Sequence, residues 1–107
     1  MKKWFQIGKT SYMDAGCKLL PRKFARIVKT EDGAIALSIN TFRYYYLNEM
    51  AYDIWQLLLQ EDSPIKAYER LLTEYDDIPQ EDMYNDFSGV CQFFLDNKLW
   101  YIRRSWS

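Results

Sequence analysis

The sequence predicts an α+β fold in which a small antiparallel sheet of three strands is followed by three helices. Two observations carry this. Residues before Asn48 alternate with a period of two between turn signals, and residues after it follow a helical period. The joint between the two halves is Phe42-Arg43-Tyr44-Tyr45-Tyr46-Leu47-Asn48, which begins in aromatic, pleat-favouring residues and ends on a good helix N-cap.

The elements follow in order. Residues 1–20 scatter Trp4, Phe5, Ile7, Tyr12, Met13, Leu19 and Leu20 among Lys, Gly and Ser without a period. They read as an N-terminal arm, 1–21, closed by Pro21, which packs on the domain or joins two copies as a homodimer. Phe24–Thr30 is the first strand. Glu31-Asp32-Gly33 is a hairpin signal, with Asp-Gly supplying the turn. From Ala34 to Ile39 the chain alternates: Ile35, Leu37 and Ile39 share one face, and Ala34, Ala36 and Ser38 the other. Asn40-Thr41 turns the chain again, and Phe42–Leu47 is the third strand.

The first helix spans Glu49 to Gln60. Its polar residues Glu49, Asp53, Gln56 and Gln60 form one narrow stripe, so the helix is central and covered on most sides. Ser63-Pro64 opens the second helix in the favoured order, Ser at the N-cap and Pro at the first helical position. Ile65, Ala67, Tyr68, Leu71, Leu72 and Tyr75 line its apolar face. Asp76-Asp77-Ile78-Pro79 breaks the chain. The third helix spans Gln80 to Asp96, with a core stripe of Met83, Phe87, Val90, Cys91 and Phe94 and an edge at Tyr84 and Leu95. Phe93 lies off that stripe, either as a second packing contact or as the wall of a groove. Asn97 or Lys98 ends the helix. Leu99–Ile102 forms a short last strand, and 103–107 is a frayed tail.

Composition narrows the function classes. The chain has 107 residues, 49% hydrophobic and 27% charged, which reads as one globular domain. A net charge of −1 speaks against broad phosphate binding. No signal peptide or membrane span is evident, which makes the cytoplasm the expected location. Cys91 sits in an apolar helical pattern and reads as a buried thiol. There is no His, hence neither the commonest general base nor the commonest metal ligand. The four glycines are scattered, with no phosphate loop. The acidic group Asp76, Asp77, Glu81 and Asp82 solvates a loop and favours a helix start. The expectation is a binding module without catalysis, metal or cofactor.

With aromatic residues at 18%, the Tyr-rich strand stands out. A meander has an open edge, and an open edge offers unpaired backbone groups to an extended peptide. If this strand is that edge, Tyr44, Tyr45 and Tyr46 flank the peptide and Arg43 pairs with an acidic side chain of it. Otherwise the rings only cap the sheet.

Taken together, the residues resemble the PqqD-like family of precursor-peptide recognition domains. The resemblance rests on the Asp32-Gly33 hairpin and on Tyr46-Leu47-Asn48 followed by Ala51 and Ile54-Trp55. It rests also on Leu71-Leu72 and Tyr75, and on Phe93-Phe94-Leu95 through Leu99. It covers roughly residues 22–102. The chain departs from the family at Gln60-Glu61-Asp62-Ser63, where an Asp-Gly is usual, and in its long arm. The resemblance implies a winged-helix-like fold and a non-catalytic adaptor. Such an adaptor binds the leader segment of a ribosomally made precursor peptide as an added strand. It then presents the precursor to a modifying enzyme, a cyclase or a leader protease, as in lasso-peptide or quinone-cofactor biosynthesis. On the matching positions, the peptide lies along Arg43, Tyr44, Tyr45, Tyr46 and Leu47. The groove wall is Asp86, Val90, Phe93 and Asn97, with Tyr84 and Leu95 as the alternative edge. Other readings are a winged-helix DNA-binding regulator and a structural subunit of a larger enzyme. The acidic third helix, with no Lys or Arg before Lys98, disfavours the regulator, and neither nucleic acid nor membrane is an expected partner.

Overall fold

The computed structural model describes residues 17–104, in which a three-stranded sheet and a two-stranded ribbon accompany three helices. The order is β1 (Cys17–Pro21), β2 (Ala25–Lys29), β3 (Gly33–Ser38), β4 (Arg43–Asn48), α1 (Glu49–Gln60), α2 (Pro64–Glu74), α3 (Gln80–Asp96) and β5 (Trp100–Arg104). Strands β2, β3 and β4 form the antiparallel meander in that spatial order, with Val28 opposite Ile35 and Ile35 opposite Tyr46. The α+β architecture expected from the sequence is the one observed.

The meander buries its small residues. Ala34, Ala36 and Ser38 face the helices, with β3 packed on α1. Their short side chains let the helix come close, while Ile35 and Leu37 lie on the outer face, half covered. The first hairpin differs in detail from expectation. Its corner is Glu31-Asp32, with the Thr30 N–H donating to the Gly33 carbonyl at 2.9 Å, and Gly33 begins the next strand. Gly33 is needed for proximity rather than for the turn: a Cβ there would lie 2.0 Å from the backbone oxygen of Leu47. The second hairpin is also shifted. Phe42, read as the first residue of the third strand, is instead the last loop residue, at φ 60°. It is 83% exposed, so an aromatic side chain holds a left-handed position that glycine or asparagine usually fills.

Local signals set the helix starts. The Asn48 side chain accepts from the Ala51 N–H at 2.8 Å, and Ser63 Oγ accepts from the Lys66 N–H at 3.3 Å. Helix α3 starts after Pro79 with no side-chain cap, and Glu81 and Asp82 in its first turn favour the exposed N–H groups. Its end is a Schellman closure. The Leu99 N–H donates to Phe94 and the Lys98 N–H to Leu95, with Lys98 at φ 59° where glycine is usual.

Pairing of β1 with β5 was not expected. The last five residues of the presumed arm form a strand, and Arg103 and Arg104, read as frayed tail, belong to its partner. Cys17 pairs with Arg104 and Pro21 with Trp100. This two-stranded ribbon lies against the helices and closes the core. Trp100 stacks on Phe94 at 6.2 Å and meets Trp55 edge-on at 5.4 Å. Leu19, Ile54, Leu71, Met83 and Phe87 fill the space around this cluster. Cys91 is fully buried among them, and burial pushes its thiol well above the usual range. The rest of the arm, 1–16, and residues 105–107 lie outside the described residues.

Candidate peptide-binding site

Strand β4 pairs with β3 on one side and, among the described residues, with nothing on the other. Leu47 turns its carbonyl toward Gly33 on β3. Backbone direction alternates along an antiparallel ladder, so Tyr45 and Arg43 also turn inward. Tyr44 and Tyr46 therefore present their N–H and C=O groups to the open side. Their rings lie on the outer face of the sheet, edge to face at 5.9 Å. Tyr46 is 75% exposed.

Beside this edge runs a groove of about 390 Å³ between β4, the start of α1 and the middle of α3. Its lining is Tyr46, Leu47, Asn48, Ala51, Asn85, Asp86, Gly89, Val90 and Phe93. Helical spacing produces the wall, since Asp86, Gly89, Val90 and Phe93 fall at three- and four-residue steps on one side of α3. Phe93 meets Tyr45 edge-on at 5.5 Å, which joins helix and strand at one end. Asp86 is the one charged residue of the lining, exposed and in no ion pair among the described residues.

Of the residues singled out in the sequence, Tyr46, Leu47, Asp86, Val90 and Phe93 come together in the groove. Tyr45 touches it through Phe93. Arg43 is exposed at the start of β4, outside the lining, and Tyr44 belongs to the outer face. Asn97 is the residue capping α3; its side-chain amide donates to the Phe93 carbonyl at 2.9 Å. Of the alternative edge, Tyr84 packs against Tyr68 of α2 at 5.4 Å, away from the groove. Burial pushes its hydroxyl up to about 12. Asn48, Ala51, Asn85 and Gly89 were not anticipated as lining. A lone glycine in the middle of the third helix's apolar pattern was the signal for the last of them.

A family model described as coenzyme PQQ synthesis protein D, PqqD, matches residues 33–99. The chain belongs to the PqqD family. The match runs from the first residue of β3 to the end of the α3 closure, and so contains β4, α1 and α3 entire. No curated protein matches the chain. Two solved structures share the PqqD-like fold. One is TbiB1 in complex with the TbiA(beta) leader peptide, 17% identical, with a TM-score of 0.67 over 76% of this chain and 93% of that one. The other is a lasso peptide synthetase B1 complexed with the leader peptide, 24% identical, with a TM-score of 0.65 over 80% of this chain and 98% of that one. Among the described residues no group of His, Cys, Asp or Glu is placed to hold a metal, and no helix is long and apolar enough to cross a membrane.

Proposed function

We propose that this PqqD-family chain is a non-catalytic adaptor for the leader segment of a ribosomally made precursor peptide. The leader adds as a strand to β4 and packs into the groove against α3. The bound precursor is then offered to a modifying enzyme, a cyclase or a leader protease. The observation that carries this is the unpaired edge of β4 beside an open groove. Main-chain bonds to Tyr44 and Tyr46 give general affinity, and the groove supplies selectivity. The two structures of similar fold, each solved with a leader peptide bound, support the same reading. The DNA-binding alternative lacks a basic recognition helix, because α3 carries Glu81, Asp82, Asp86 and Asp96 and no Lys or Arg.

The test is a titration of the full chain with synthetic peptides from the small reading frames beside its gene, followed by amide NMR. Shifts are expected along Arg43–Asn48 and Asp86–Phe93. Shifts confined to other elements, or none with any peptide, sink the proposal. Tyr46→Pro removes an outward N–H, which an edge strand tolerates. It is expected to weaken binding by roughly tenfold, the worth of one main-chain bond, while the fold persists.

A further inference from the structure

Gly89 lies in the middle of α3, where glycine weakens a helix relative to alanine. Two structural needs excuse such a residue: a left-handed backbone, or a neighbour too close for a Cβ. Neither holds. The helix runs through it unbroken, and a Cβ built there meets no atom within 4 Å. Gly33, by contrast, is forced by the backbone of Leu47. What surrounds Gly89 is the groove, whose lining it joins.

The space above it has a definite chemistry. Leu47, Ala51, Val90 and Phe93 supply its apolar surface, Asn48 and Asn85 are neutral polar groups, and Asp86, one turn earlier than Gly89 on the same helical face, is its one charged residue. An extended strand sends alternate side chains to one side, at intervals of about 7 Å, so a peptide on β4 directs a row of them into the groove. A long aliphatic stem with a cationic tip matches both parts, the stem lying on the apolar walls and the cation reaching the carboxylate.

We infer that Gly89 determines specificity: the space it leaves takes a Lys or Arg side chain of the bound peptide, whose cation pairs with Asp86. This rests on the peptide-binding reading above. It is tested by selecting random peptides displayed on phage against the full chain, and against the Gly89→Leu and Asp86→Asn variants, with circular dichroism to check each fold. The natural chain is expected to enrich peptides with Lys or Arg at one fixed position. Asp86→Asn is expected to lose that preference, and Gly89→Leu to replace it with small residues. A selected basic peptide is expected to bind roughly tenfold less tightly to either variant. Enriched peptides without a basic position, or a basic preference surviving in both variants, overturn the inference and leave peptide recognition standing. If the natural chain enriches no peptide, peptide recognition falls, and this subsite with it.

Discussion

Phe93 and Phe94 are neighbours on α3 with opposite fates. Phe94 is 0% exposed, locked between Trp55 and Trp100, whereas Phe93 is 37% exposed and touches Tyr45 across the groove. The helix thus has a closed side, Met83, Phe87, Cys91 and Phe94, and an open side, Asp86, Gly89, Val90 and Phe93. On the closed side every ring has partners all round. On the open side Asp86, Gly89 and Phe93 are exposed and Val90 is half-buried. A helix built this way keeps the residues that hold the core apart from those that line the groove.

The largest test of that separation is Phe94→Ala, expected to destabilise by about 3–5 kcal/mol in urea unfolding. Phe93→Ala is expected to lose only about 1 kcal/mol, its edge-on contact with Tyr45, while peptide binding suffers more. Similar stability losses at both positions would break the comparison. The glycines come next. Gly33→Ala forces β3 and β4 apart and is expected to destabilise by about 1–3 kcal/mol. Gly89→Ala is expected to stabilise by about 0.5–1 kcal/mol and yet to narrow the groove, which thermal unfolding and peptide titration together resolve. The smallest effect concerns Tyr84 on the closed side, raised by burial to about 12 from 10.0. The folded state holds this proton more tightly than the unfolded chain. Its contribution is therefore full below pH 10 and is lost as pH rises toward 12. Tyr84→Phe is expected to make alkaline unfolding between those values less steep; an unchanged slope removes Tyr84 as a contributor.

What the sequence disclosed was local. Asn48 and Ser63-Pro64 mark helix starts through bonds to residues three positions away, and the apolar stripes of α2 and α3 are periodic within one segment. The site was partly legible for the same reason, since Asp86, Val90 and Phe93 share a helical face. What stayed hidden depends on distant pairing. Nothing near Cys17–Pro21 signals that its partner is Trp100–Arg104, and nothing near Gly33 shows that Leu47 lies across from it. Asp-Gly is a turn signal, and here proximity across the sheet claimed the glycine instead. Phe42 was drawn into the strand by its aromatic neighbours, although the four-residue loop between Ser38 and Arg43 needed a left-handed residue there.

The β1–β5 ribbon has a consequence for how such a unit is used. Cys17 and Arg104 are paired, so the chain enters and leaves the described fold side by side, separated by one strand spacing. None of the ribbon's residues lines the groove. Ends this close suit the insertion of a unit into a loop of another protein, because the two sides of the interrupted loop stay together.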